Sequence, residues 1–230
     1  AKDMTILQEI KAVTPRGEMT SESKMLKKGR KFRVEAAMRM PRVPMMPGGM
    51  EGMKSITIFD GKDTWMISPF MGKRKLMAGE DKKYQIERDW WELIPVNAKI
   101  TGTEKVGKQE CYVVELGEEK ESPFTKMWLD KETLVLVKAM GKGVGGETML
   151  WVHSDFRKVK GDWEIPFKTE VYSGDKLMTT AHVKSFEINK GLSDDLFDPA
   201  MVKQEGSRMM PRRRRGNEAA PRRGRRMRER

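Results

Sequence analysis

The feature that most limits what this chain can become is apolar alternation with a period of two. Phe32, Val34, Ala36 and Met38 alternate with Lys31, Arg33, Glu35 and Arg39. Trp163, Ile165, Phe167, Thr169 and Val171 alternate with Glu164, Lys168 and Glu170, and Leu177, Thr179, Ala181 and Val183 keep the same rhythm. Successive strand side chains point to opposite faces, so these segments predict antiparallel strands with one face on a core and one toward water. Gly29, Asp60-Gly61, Gly107-Lys108, Asp130 to Thr133, Gly161 and Gly174-Asp175 fall between the runs at hairpin spacing. With Met4–Val13 and Thr148–Val159 added, about eleven strands follow one another as a meander.

Two stretches break the rhythm. Pro41 to Met53 carries Met45, Met46, Met50 and Met53 among three prolines and three glycines, a composition that predicts a loop. Its unbranched thioethers suit an adaptable apolar lid, and they are also soft ligands of the kind Cu(I) accepts. Within Pro69 to Asn97, the residues Ile86, Trp90, Leu93 and Ile94 stand at i, i+4, i+7 and i+8 before Pro95. That spacing predicts a short amphipathic helix. Trp90 and Trp91 would project about 100° apart from it, so both rings bury only if the helix is wedged between surfaces. An exposed face touching a membrane is the other arrangement that uses both rings. Ser193 to Phe197 predicts a further helical turn capped by Ser193.

A many-stranded meander hides its edges and its apolar face best by curling. The expected fold is therefore mainly β: a curved antiparallel sheet or unclosed barrel with a short helical lid across its mouth. It occupies residues 1–202 and is followed by a disordered basic tail, 203–230.

Charge follows the same division. The net charge is +12, and the tail alone carries twelve basic residues against three acids. A pI-based reading of the whole chain as a nucleic-acid binder is therefore misplaced. Arg212, Arg213, Arg214 and Arg215 are the candidate contacts to phosphates of an anionic membrane surface, with nucleic acid the lesser alternative.

Signals for catalysis are missing. Cys111 is the single cysteine, which excludes an intrachain disulfide framework, and it sits in a strand as a small buried hydrophobe. His153 and His182 lie on separate strands without a ligand cluster. Gly141, Gly143 and Gly146 have G-x-G-x-x-G spacing but lead into a strand rather than a helix, so they read as a hairpin loop. Asp194, Asp195 and Asp198 lack the spacing of a cation loop. No enzyme, cofactor or metal site is expected. No apolar run approaches the roughly 20 residues that a membrane helix needs.

Several motifs together carry a family resemblance. They are Ile58-Phe-Asp-Gly-Lys-Asp-Thr-Trp65-Met-Ile-Ser-Pro69, Gly102-Thr-Glu-Lys-Val-Gly107 leading to Cys111-Tyr-Val-Val, and Met127-Trp-Leu-Asp130-Lys-Glu-Thr133. Phe156-Arg-Lys-Val-Lys-Gly161-Asp-Trp163-Glu-Ile-Pro166 and Leu192-Ser-Asp-Asp-Leu-Phe197-Asp-Pro199 complete the set. In this order, over about residues 4 to 199, the chain resembles the outer-membrane lipoprotein-sorting proteins of the LolA/LolB-like superfamily. The resemblance implies an eleven-stranded unclosed barrel with a helical lid, whose concavity takes acyl chains of a lipid or lipoprotein in the periplasm of a Gram-negative bacterium. The sequence opens at Ala1 without an apolar leader, so the expectation is either a removed signal peptide or a trimmed start, and a membrane-protein partner is a further expectation. Family carriers open with a long helix, whereas Met4–Val13 here has the pattern of a strand.

Trp65, Ile67, Trp90, Trp91, Trp128 and Trp151 are the candidate lipid-binding wall, with Met45, Met46, Met50 and Met53 as lid. A sensor or scaffold that binds a partner protein with the same fold is the alternative of a different class.

Overall fold

A computed structural model describes residues 1–15, 17–39, 53–69, 71–77, 89–117, 122, 124–143 and 145–202. The first strands are β1 (Asp3–Thr14), β2 (Gly17–Lys28), β3 (Lys31–Arg39), β4 (Met53–Phe59), β5 (Thr64–Ser68) and β6 (Gly72–Lys75). Then come β7 (Lys99–Val106), β8 (Gln109–Glu115), β9 (Phe124–Asp130), β10 (Leu136–Lys142), β11 (Thr148–Lys160), β12 (Trp163–Ser173) and β13 (Lys176–Ile188). All join one antiparallel sheet in the order β6-β5-β4-β3-β2-β1-β13-β12-β11-β10-β9-β8-β7. Two meanders, β1 to β6 and β7 to β13, are thus joined side by side through β1 and β13.

This order fixes the edges. β6 and β7 are the two free edges of the sheet, yet they are consecutive in sequence. Between them, the described residues 89–98 pack against β8, β9 and β10 through Leu93.

The sheet does curl. Phe59 on β4, Met4 on β1, Phe186 on β13 and Leu136 on β10 all line one cavity. On a flat sheet β4 and β10 would stand seven strand spacings apart, about 34 Å. The barrel stays unclosed because β6 and β7 do not pair.

Thirteen strands exceed the expected eleven or so, most plainly at β6. Gly72-Lys-Arg-Lys75 has no apolar alternation, because an edge strand guarded by charges needs none. The described part of the expected lid helix is one 3-10 turn, Trp90–Leu93, while Ile86 lies outside the described residues. Ser193 behaves as anticipated: its hydroxyl accepts from the Asp195 N–H at 3.4 Å and starts the turn Asp194–Phe197. A further turn, Pro199–Met201, follows. Met45, Met46, Met50 and the tail with Arg212 to Arg215 lie outside the described residues, and Met53 opens β4.

Candidate functional site: a trough beneath a strap

The four central strands of the sheet (β1, β13, β12 and β11) run for 12, 13, 11 and 13 residues. Among the described residues, none of their apolar side chains is fully buried. The cross-strand register shows what they present instead. One row runs Ile10–Ala181–Thr169–His153, and others pass through Val34–Met25–Ile6–Phe186 and through Gln8–Val183. Every one of these side chains is half-buried. They form the floor of a trough that opens into a cavity of about 930 Å³. That lies near the upper end of small-molecule sites, about 300–1,000 Å³.

Residues 89–98, which include the turn Trp90–Leu93, form a strap that closes one side. Leu93 is buried with Val114, Leu116, Met127, Leu136 and Ala139, and Trp90 and Ile94 pack against the same cluster. From the opposite half of the sheet, Lys27 Nζ on β2 donates to Asp89 Oδ1 at 2.8 Å, with both side chains mostly covered. The turn is therefore anchored by apolar packing on β8 to β10 and by one ion pair on β2. Trp90 and Trp91 meet edge-on, 5.6 Å between centroids at 83°. Trp90 packs inward, whereas Trp91 is 51% exposed at the rim beside Leu134, itself 54% exposed with a φ of 55°. Adjacent tryptophans thus divide between floor and rim rather than both being buried.

The remaining wall candidates are dispersed. Phe59 lines the cavity, so its neighbour Ile58 points to the other face, and Trp65 pairs with Ile58. Trp65 and Ile67 therefore pack on the outer face, with Leu26, Ile56 and Phe197 under the C-terminal turns. Arg33 secures those turns by donating from Nη1 to the Leu196 carbonyl at 2.9 Å. Trp128 also faces outward, because its neighbours Met127 and Leu129 belong to the cluster beneath the strap. It is buried with Cys111, Val113 and Val137, donates to Glu104 Oε2 at 2.7 Å, and carries Lys138 over its ring at 4.4 Å. Trp151 meets Phe124 edge-on at 5.1 Å and packs under the strap. Of the six, Trp90 and Trp91 line the cavity. The lining residues that sequence reasoning missed include Ile6, Phe59, Phe156, Trp163, Val183 and Phe186.

The other polar motifs resolve into structure. Gly143 and Gly146 close the β10–β11 hairpin, with the Gly146 N–H donating to the Gly143 carbonyl at 3.0 Å. Cys111 is a free, buried thiol whose pKa is raised, chiefly by burial. Asp60 accepts from the Lys62 and Asp63 N–H groups, each at 2.8 Å, and from the Trp65 indole at 3.1 Å. Asp130 accepts in the same way from Glu132, Thr133 and Gln109. Burial alone would raise both carboxyls, but these hydrogen bonds hold them below the usual carboxylate range. His153 Nδ1 lies 2.9 Å from Thr169 Oγ1 on the trough floor, and burial pulls its pKa down to about 4. Among the described residues no three His, Cys, Asp or Glu side chains gather to hold a metal, and no helix is long and apolar enough to cross a membrane.

Comparison with known proteins adds the following. A family model described as "Uncharacterized protein" matches residues 46–204. No curated protein matches the chain. A LolA superfamily protein from Nitrosomonas europaea is similar in structure, with a TM-score of 0.62 at 15% identity over 87% of this chain and 92% of that one. A domain named for outer membrane lipoprotein sorting, from Vibrio parahaemolyticus, gives 0.61 at 14% over 85% and 89%. A DUF1329 family protein from Desulfovibrio piger gives 0.63 at 14% over 88% and 92%. The chain has the LolA-like fold.

Proposed function

The chain belongs to the family described as "Uncharacterized protein", whose model spans residues 46–204, and we propose that it is a carrier that shelters acyl chains of a lipid or lipoprotein. The observation that carries this reading is the state of the central strands. The central strands β1 and β11 to β13 leave their inward apolar residues only half-buried beside a 930 Å³ cavity, where a self-sufficient fold would bury them. Two of the similar structures bear names that refer to the LolA superfamily or to lipoprotein sorting, which supports the same ligand class and a periplasmic setting.

Affinity follows from elementary transfer energies. Each methylene withdrawn from water contributes about 0.8 kcal/mol, so ten contribute about 8 kcal/mol before the costs of association. No catalytic group is needed for this. The work lies in admitting the chain and letting it go, and the strap at residues 89–98 crosses the opening through which it passes. The unit of residues 1–202 carries the binding, and the Arg-rich segment 203–230 serves contact with an anionic membrane surface.

Organic extraction of the purified protein followed by mass spectrometry is the direct test, joined to tryptophan fluorescence during lipid titration. Recovered lipid in near-stoichiometric amount, with a spectral change from Trp90 and Trp91, is the expected result. Empty extracts together with a flat titration would remove the carrier reading.

A further inference from the structure

Resting on the carrier reading, we propose that His153 and Thr169 form a recognition site on the trough floor for the uncharged carbonyl of an ester- or amide-linked acyl chain. The pair faces one another across β11 and β12 in the row Ile10–Ala181–Thr169–His153, and both residues line the cavity. Their mutual bond uses Nδ1 of the imidazole and the threonine hydroxyl, 2.9 Å apart. No described residue bonds to Nε2. When the hydroxyl donates to Nδ1, the ring proton resides on Nε2 and is available to an acceptor in the hollow.

The position of the pair selects the kind of acceptor. The charged side chains that line the cavity, Lys2, Asp3, Lys27, Arg30, Asp89, Glu92 and Glu164, lie in turns or within two residues of a strand end, and Glu164 is five residues, about 16 Å, from Thr169 along β12. Asp3 is already occupied by the N–H groups of Lys190 and Gly191, and Lys27 holds Asp89. Along β1 the distance from Met4, at the charged end, to Ile10, level with His153, is six residues or about 20 Å. The pair therefore stands apart from any counter-ion, among Ile10, Ala181 and Val183. A carboxylate or phosphate placed there would be buried without a partner, which is strongly unfavourable. A neutral carbonyl is not penalised in this way and satisfies the free donor. The depressed pKa of His153 agrees, because a ring that stays neutral donates one bond without bringing charge. The ligand class thus narrows from any greasy chain to acyl esters and amides, in preference to free fatty acids bound carboxylate-inward.

The test uses the full chain at pH 7 and three probes of equal length, methyl palmitate, palmitate and hexadecane, each displacing a fluorescent apolar dye. The wild type is expected to bind methyl palmitate about tenfold more tightly than hexadecane, which corresponds to one net hydrogen bond. His153→Phe keeps the ring and Thr169→Val keeps the shape. The ratio of ester to hexadecane affinity, taken within each variant, is expected to fall about tenfold in His153→Phe, which loses the donor, and by less in Thr169→Val, which loses only the hydroxyl that holds the proton on Nε2. Unaltered ester preference in both variants would overturn the proposal, as would palmitate binding as tightly as its ester. Displacement by none of the three probes would instead bring down the carrier reading beneath it. Thermal unfolding of each variant verifies that it is folded, and the isosteric Thr169→Val keeps the test decisive if His153→Phe does not fold.

Discussion

The wing formed by β8, β9 and β10 and the central strands β1 and β11 to β13 are built from the same alternating pattern, yet they end in opposite states. In the wing both faces are sealed. Met127, Ala139 and Leu116 are buried under the strap, while Cys111, Val113, Trp128 and Val137 are buried on the other side. The central strands are longer, but none of their described apolar side chains is fully covered. One region supplies rigidity and the other supplies unoccupied apolar surface. Stability and binding are thereby separated along a single sheet, and substitutions in the two regions should report on different properties.

The largest contrast comes from paired truncations. Met127→Ala removes a side chain with 0% exposure from the cluster beneath the strap, and the expected loss is about 2–5 kcal/mol of unfolding free energy. Ile10→Ala removes a half-buried side chain from the trough floor and is expected to cost about 1 kcal/mol in lipid-free protein, since little packing is lost. Denaturant titrations measure both. Equal losses would mean that the trough is packed as tightly as the wing, and the distinction would disappear.

The same contrast explains how much could be read from the residues alone. Alternation located most strands because a half-buried sheet imposes period two on its sequence. Alternation says that two faces differ, but not which of them encloses the hollow. Trp65, Ile67 and Trp128 were the obvious candidates by bulk, and they pack outward, the first two with Phe197 and the third with Cys111 and Val137. The hollow itself is lined by rings as well as by smaller side chains, Phe59, Phe156, Trp163 and Phe186 beside Ile6, Val183 and Thr169, so bulk alone does not tell which face a residue takes. The β1–β13 pairing joins residues 167 to 184 positions apart, from Ala12 with Thr179 to Met4 with Ile188, and no local signal encodes it. The motifs that carried the family resemblance are largely turn chemistry. Asp60 and Asp130 each organise a hairpin through side-chain bonds to backbone N–H groups, so those motifs speak for the fold more than for the ligand.

A smaller effect, specific to the trough, is acid sensitivity through His153. The unfolded ring protonates near its ordinary value of 6.5, whereas the folded ring resists protonation until about 4. Between these values the unfolded chain binds more protons, so stability is full above pH 6.5 and declines as the pH falls toward 4. The expected loss from this group between pH 7.5 and pH 5 is about 2 kcal/mol. His153→Phe should remove that part of the slope and leave the remaining carboxylate-driven decline below pH 5. Urea midpoints at the two pH values measure it. An unchanged slope in the variant would place the ring in water in the folded state, and the floor of the trough would be wetter than the register implies.

The smallest effect on stability belongs to the join between the two regions. Asp89→Asn breaks the contact from Lys27 that ties the strap to β2 but leaves Leu93 and Trp90 seated on the wing. Partly exposed ion pairs contribute little, so the unfolding free energy should fall by less than about 1 kcal/mol. The strap would then be held at one end only, and release of a bound apolar dye should accelerate several-fold while its equilibrium affinity changes less. Stopped-flow dilution into vesicles reads the release rate, and 1 M salt should bring the wild type toward the variant, because screening weakens the same contact. Release that is indifferent to both the substitution and the salt would show that the chain leaves by another route, past the β6 edge rather than beneath the strap. In that case the wing and the trough would function without the link that Lys27 and Asp89 provide.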